Sequence, residues 1–297
     1  MIGIDTLNFL IKTPINIKNS TILSLGNPFL TKDIFKSKLI SSEQRKILYS
    51  IEKKKQIKYL LTNILGAKNI DILDISDEEG ADYIFDFNKP ICDFMSEKKY
   101  NIILDFGTSE HIFNRSNVIE NIFKLLDIGG IYLFHLPAGG QIDHGFIQYS
   151  PSFMYDLCFA NKKALSLLHL SLFHESLEKG ISTLPLYKRL DKDYRDVVDK
   201  NSNDYEIDTI NLKKLTGTSY QLFNYLPEVM LLGAIKKNKN SIINHNVIQC
   251  IYRNTKLEEM LPSKNKKSID YKNIAKKIFL KIPLPALLKL KVLTKIT

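Results

Sequence analysis

Between residues 21 and 136 the chain alternates short, strongly apolar runs with segments of helical spacing, and this alternation constrains its fold more than any other feature. Residues 21–25 (TILSL) run into Gly26-Asn27-Pro28, a strand followed by a turn. Ser41, with Gln44 three positions on, forms a capping box. Ile47, Leu48, Ile51, Ile57, Leu60, Leu61 and Ile64 then recur near helical spacing, and Gly66 closes the predicted helix. Residues 70–75 (IDILDI) and 81–85 (ADYIF) predict two more strands, the second running into Asp86. Residues 100–106 (YNIILDF) are almost continuously apolar, which suits a parallel strand covered on both faces. Val118, Ile119, Ile122, Phe123, Leu125 and Leu126 predict a helix ended by residues 127–130 (DIGG), and residues 131–136 (IYLFHL) a fifth strand stopped by Pro137. Strands alternating with helices imply a parallel sheet with right-handed crossovers.

Past residue 150 the pattern changes. Residues 151–174 read as helical, and residues 175–227 are mixed and polar with no clear period. Residues 228–235 (EVMLLGAI) and 246–253 (NVIQCIYR), joined by a Lys/Asn-rich turn, predict an antiparallel pair at the sheet edge.

In an open parallel sheet, ligands sit outside the carboxyl ends of the strands, at the point where strand order reverses. Gly26, Asp74, Asp86 and Asp105-Phe106-Gly107 fall there. A glycine after the first strand lets backbone approach a ligand, an acid ending the second can accept both hydroxyls of a ribose, and an acid after the third can meet an adenine amino group. Together they describe a nucleoside pocket. Each also has a plainer role: Gly26 in a turn, Asp74 among the loop acids Asp71, Asp77, Glu78 and Glu79, Asp86 at a strand exit. Asp105, inside an apolar strand, needs a partner or a ligand, because an unpaired buried charge is costly.

Glu110 and His111 follow that strand and are expected to cap the next helix, where an acid near the N-terminus is favourable. His135 lies within the fifth strand and is expected to be a packed core histidine. His144 lies beyond Ala138-Gly139-Gly140, in a loop that overhangs the carboxyl ends of the strands. Histidine titrates near neutrality and can take a proton from a hydroxyl, so His144 is the candidate general base. Gln148, Tyr149 and Tyr155 can serve either as hydrogen-bonding groups for a sugar-like acceptor or as structural residues. No metal is expected, since Asp143-His144 with Cys158 fits no zinc spacing. The chain has no GxxxxGK[ST] loop and no GxSxG elbow, which excludes a P-loop and argues against an α/β-hydrolase.

The stretches GNP after the first strand, LDISDEEGADYIFDFN, YNIILDFGTSEHIFN and LDIGGIYLFHLPA resemble a class I S-adenosylmethionine-dependent methyltransferase over residues 20–150. DFGTSEHIFN followed by HGFIQYSP is similar to methyltransferase-like proteins that accompany surface-polysaccharide synthesis. The resemblance implies a Rossmann-like, doubly wound, mainly parallel α/β sheet with an antiparallel edge hairpin. One domain is expected over residues 1–255, with a cofactor half at about 20–150 and an acceptor-side half at about 151–255, followed by a basic tail at 256–297. The resemblance implies S-adenosylmethionine as cofactor, bound by Gly26, Asp74, Asp86, Phe87, Asp105 and Gly107, and methyl transfer to a saccharide or small-molecule acceptor. The loop departs from the family pattern: Ser24-Leu25-Gly26-Asn27-Pro28-Phe29 has one glycine and no acid. That departure motivates the alternative of a non-catalytic scaffold with a degenerate methyltransferase fold. A nicotinamide enzyme ranks below both, because GxGxxG is absent.

The formal charge of +10 is unevenly distributed. Residues 256–297 hold eleven lysines against Glu258, Glu259 and Asp270, a net +8, so the body is nearly neutral and no nucleic-acid partner is expected. Within the tail, residues 274–281 (IAKKIFLK) and 284–297 (LPALLKLKVLTKIT) interleave lysine with apolar side chains. Such pieces either pack on the domain with lysines in water or lie on an anionic lipid surface. Cys92, Cys158 and Cys250 are scattered, no stretch is long and apolar enough to span a bilayer, and no secretion signal is evident. A cytoplasmic protein, peripheral at most to the inner membrane face, is therefore expected.

Overall fold

A computed structural model describes residues 1–12, 15–91, 95, 97–141, 144–174, 229–245 and 247. The expected tail at 256–297, the polar segment at 175–227 and nearly all of the run at 246–253 lie outside the described residues. The elements are α1 (Ile4–Lys12), β1 (Thr21–Leu25), α2 (Ser42–Ser50), α3 (Lys53–Tyr59), β2 (Asn69–Asp74), β3 (Tyr83–Ile84), β4 (Tyr100–Asp105), α4 (Arg115–Leu125), β5 (Leu126–Gly139), α5 (Pro151–Ala160), β6 (Leu165–His174) and β7 (Val229–Lys237). The strands form one seven-stranded sheet in the order β3-β2-β1-β4-β5-β7-β6. β1 pairs in parallel with β2 and β4, β2 with β3, and β4 with β5, while β7 runs antiparallel to both β5 and β6. This is a Rossmann-like, doubly wound, mainly parallel sheet with an antiparallel edge.

Strand periodicity sends successive side chains to opposite faces, and here both faces are covered. Ile22, Ile102, Leu104 and Leu133 join Leu7, Leu48, Ile57 and Leu60 of the N-terminal helical layer. Leu23, Leu25, Ile103, Tyr132 and Phe134 join Ile122 and Phe123 of α4 and Met154 and Leu157 of α5. That is why β1 and β4 read as nearly continuous apolar runs.

The capping box forms as expected: Ser41 Oγ accepts from Gln44 N at 3.2 Å and Gln44 Oε1 accepts from Ser41 N at 2.9 Å. The expected single helix to Gly66 is instead divided, because Ile51 and Glu52 leave the helical conformation between α2 and α3 (ψ 153° and 140°). Residues 60–64 then make a π-helical turn before Gly66, at φ +78°.

The helical reading of residues 151–174 holds only for α5; residues 165–174 are β6. The sequence LSLLHLSLFH has strand alternation interrupted by one bulge between Leu167 and His169. The extra residue breaks the period of two and leaves leucines at spacings that mimic a helix. The edge is antiparallel as expected, with β7 paired to β5 on one side and to β6, from before the polar segment, on the other; the strand expected at 246–253 lies almost wholly outside the described residues.

Candidate functional site

A cavity of about 470 Å³ opens outside the carboxyl ends of β1, β2 and β4, where strand order reverses between β1 and β4. Its volume lies within the roughly 300–1,000 Å³ typical of small-molecule sites. Gly26, Asp74, Asp86, Phe87, Gly107 and His144 all line it.

Gly26 leaves β1 at φ +69° and donates its N–H to Leu73 O at 2.8 Å. A Cβ there would meet Thr108 Oγ1 at 2.6 Å, while Thr108 Oγ1 itself donates to Leu25 O at 2.6 Å. The glycine is therefore required both by conformation and by the close approach of the β4 loop. In place of an acid or further glycines, buried Asn27 holds the loop: its Nδ2 donates to Lys54 O and Glu79 O, each at 2.8 Å.

Asp74 ends β2, and its Oδ1 accepts from Ile75 N at 2.6 Å. Its Oδ2 accepts no hydrogen bond among the described residues and lies 3.7 Å from where a Cβ on Gly26 would stand. Across the cavity mouth, partial burial and the charges of Asp74 and Glu78 raise the pKa of Glu79. After β3, Asp86 Oδ1 accepts from Asn88 N and Nδ2, each at 2.9 Å, and these bonds hold its pKa below the ordinary carboxylate value. Phe87 is buried and meets Phe85 edge-on at 6.1 Å, giving the cavity an aromatic wall.

Asp105 behaves differently from its sequence-based assignment. It is 0% exposed and does not reach the cavity wall. Oδ1 accepts from Thr108 N at 3.3 Å and Ser109 N at 3.1 Å, and Oδ2 accepts from Tyr132 OH at 2.7 Å. Its partners are within the protein, and it shapes the turn that presents Gly107, at φ +95°, to the cavity.

That turn continues into a short 3-10 helix, Ser109–His111. Glu110 does not cap α4; Asn114 does, accepting from Asn117 N at 3.2 Å. Glu110 is instead 1% exposed, with Oε1 3.9 Å from His111 Nε2 and 3.8 Å from His144 Nε2. Its Oε2 is buried with no hydrogen-bond partner among the described residues. Burial, reinforced by the charge of Asp105, pushes the Glu110 pKa up to about 7. Burial and the facing His144 lower that of His111. The loop carrying His144 is fastened to this carboxylate's own backbone: Phe146 N donates to Glu110 O at 2.9 Å, and a Cβ on Gly145 would lie 3.1 Å from that oxygen.

Beside His144, Phe146 (69% exposed) meets Phe113 (77% exposed) edge-on at 5.9 Å. Tyr149 and Tyr155 are core residues rather than acceptor contacts. The Tyr149 hydroxyl pairs with Ser109 Oγ at 2.9 Å and accepts from Arg115 Nη1, and Tyr155 is fully buried. Gln148 is exposed, its Nε2 donating to Gln141 O at 3.2 Å.

Among the wall residues that residue spacing missed are Met1, His135, Gln141 and Met230. His135 is expected as a core residue, and it is buried, but it also lines the cavity. The signal for Glu110 and His111 was present as an acid and a histidine immediately after a strand end; their burial and convergence were not visible.

No family model matches the sequence, and no curated protein matches it. Among solved structures the chain is similar to the StiE O-MT, at 11% identity and TM-score 0.41, covering 80% of this chain and 74% of that one. It is similar to TehB from Haemophilus influenzae at 11% identity and TM-score 0.40, covering 80% of this chain and 62% of that one. A third is the O-methyltransferase from the trans-AT PKS multienzyme of Brevibacillus brevis in complex with S-adenosyl-L-homocysteine, at 15% identity and TM-score 0.34, covering 80% and 72%.

Proposed function

We propose that the chain is an S-adenosylmethionine-dependent methyltransferase whose acceptor is a saccharide or another small hydroxylated molecule, of the kind used in surface-polysaccharide synthesis. The observation that carries this reading is the cavity at the strand-order reversal, lined together by Gly26, Asp74, Asp86, Phe87 and Gly107. These residues fit the cofactor. Asp74 keeps a carboxylate oxygen without a protein donor for ribose hydroxyls, and the missing Cβ of Gly26 lets backbone approach. The Phe85–Phe87 wall offers apolar surface for a base.

When bound, S-adenosylmethionine supplies an electrophilic methyl group on a sulfonium sulfur. The protein's part is mainly alignment of the acceptor oxygen with that methyl group. His144 stands at the acceptor side and accepts the hydroxyl proton at Nε2. The exposed Phe113–Phe146 pair, whose Phe146 lies two residues along the chain from His144, offers apolar ring surface that suits a saccharide or other cyclic acceptor.

Calorimetry with S-adenosylmethionine and S-adenosylhomocysteine is the test. Micromolar binding that weakens roughly 10–100-fold in Asp74→Ala, the loss of a hydrogen bond to a charged group, is expected. Absence of binding to either at millimolar concentration would overturn the reading. The single-glycine, acid-free loop at Gly26 favours, as the second reading, a scaffold without catalysis. An intact fold that binds neither compound is its signature.

A further inference from the structure

Glu110, His111 and His144 each present one ligand atom to a common point at the mouth of the cavity, all within 4.8 Å of one another. A tetrahedral ion with bonds near 2.1 Å separates its ligand atoms by about 3.4 Å. The two carboxylate–imidazole separations, 3.8 and 3.9 Å, exceed this by about half an ångström, which the half-exposed imidazoles close by rotating.

The carboxylate itself is the second observation. Glu110 is buried, its Oε2 has no donor among the described residues, and Asp105 adds a further negative charge nearby, offset in part by the amino terminus and by Arg115. A buried carboxylate with an oxygen lacking a hydrogen-bond donor is expensive, and a cation held between Oε1 and the imidazoles offsets the charge of that carboxylate. The backbone that carries the ligands is held without an ion: the Asp105-pinned turn sets that of Glu110 and His111, and the Phe146 N–Glu110 O bond that of the loop of His144.

We propose that Glu110, His111 and His144 form a binding site for a divalent first-row transition ion such as zinc. Two imidazoles with one carboxylate suit zinc, cobalt or iron better than magnesium or calcium, which prefer all-oxygen shells. Three protein ligands leave at least one position open toward the cavity, the arrangement of catalytic rather than structural sites. The role of the ion rests on the proposed function: held by Glu110, His111 and His144, it would lower the pKa of an acceptor hydroxyl at its open position, whose proton would pass to water while the oxygen takes the methyl group and the sulfonium sulfur leaves as a thioether. His144 then serves the acceptor through the ion instead of as the base.

The experiment is titration of the chelator-treated full chain with cobalt(II), followed by its visible absorption, and with zinc by calorimetric competition. One equivalent is expected to bind with a low-coordinate cobalt spectrum. His111→Ala, His144→Ala and Glu110→Gln should each weaken zinc at least as much as the roughly 10–100-fold cost of altering an outer-shell group. His245→Ala, whose ring faces Glu120 elsewhere, should leave it unchanged. Because His111 and His144 are surface side chains, their variants test the site even if Glu110→Gln fails to fold. Failure to take up one equivalent, or uptake undiminished in the two histidine variants, overturns the site. S-Adenosylhomocysteine binding is measured separately on the same samples. Metal uptake without it refutes methyl transfer but retains the site; binding of the nucleoside without metal uptake does the reverse.

Discussion

Lowering the pH from 7 to 5 is expected to destabilise the fold through His135, by an amount the structure sets. The ring is 9% exposed, with Nδ1 3.4 Å from Thr6 Oγ1 and Phe106 edge-on at 6.3 Å. Burial, followed by the positive amino terminus nearby, depresses its pKa from 6.5 to about 4. The unfolded chain therefore takes up a proton below pH 6.5 that the folded chain refuses until about pH 4. The stabilisation from keeping His135 neutral is complete above 6.5 and is lost progressively as pH falls toward 4. At pH 5 the loss is about 2 kcal/mol, since each unit of difference is worth about 1.4 kcal/mol and about 1.5 units have been traversed. That is a substantial part of the roughly 5–15 kcal/mol that holds a domain together. Urea denaturation at pH 7 and pH 5, on wild type and His135→Asn, isolates the contribution. Asn keeps a polar atom near Thr6 but does not titrate, so carboxylate effects cancel in the comparison. Wild type should lose about 2 kcal/mol more than the variant between the two pH values. Equal losses in the two proteins would refute the reasoning. His169, whose pKa burial also depresses to about 4, adds an effect of the same sign in both proteins.

Gly26→Ala should cost about 1–2 kcal/mol for placing a side chain at positive φ, plus the contact with Thr108 Oγ1. A thermal-denaturation cycle should show a smaller cost in a Thr108→Ala background. Tyr132→Phe removes the donor to Asp105 Oδ2 and should cost about 1–3 kcal/mol in denaturant titration, an amount beyond that of an exposed tyrosine such as Tyr49 changed the same way. For the lysine-rich tail, liposomes containing anionic lipid are expected to retain the full chain better than a chain ending near Arg253, with each lysine near the surface worth about 1 kcal/mol before screening. Equal retention would exclude anchoring by the tail.

The first five strands were legible in the sequence to within a few residues at most boundaries because burial on both faces writes an apolar run that polar turns interrupt. β6 was not, because its bulge between Leu167 and His169 destroys the one pattern that distinguishes a leucine-rich strand from a helix. The break between α2 and α3 was hidden for the opposite reason. Leu48, Ile57, Leu60 and Leu61 all face the same core, so the apolar period runs on across Ile51 and Glu52 although the backbone does not. The inward start of β5 was masked by Gly129, whose φ of +84° reads as a helix stop, while Leu126 already pairs with Tyr100.

At the site, legibility divided along a physical line. Gly26, Asp74, Asp86 and Gly107 were found because a parallel sheet puts strand ends, and therefore residues adjacent in the reading, at the ligand crevice. What a side chain does with its partners cannot be read that way. Asp105 occupies a strand end like Asp74, yet Tyr132 from the next strand and two amides of its own turn take both its oxygens. Asp74 keeps one oxygen without a donor among the described residues, because Ile75 N reaches Oδ1. The same contrast governs Glu110 and His144, which are thirty-four positions apart and separated by α4 and β5. The backbone bond from Phe146 to Glu110, with Gly145 small enough to permit it, fastens the loop over the carboxylate. It follows that replacing Gly145 by a bulkier residue should part His144 from Glu110 without touching either side chain. Gly145→Val is therefore expected to weaken metal uptake while leaving S-adenosylhomocysteine binding at Asp74 in place, and a parallel loss of both would mean that the loop supports the whole cavity instead.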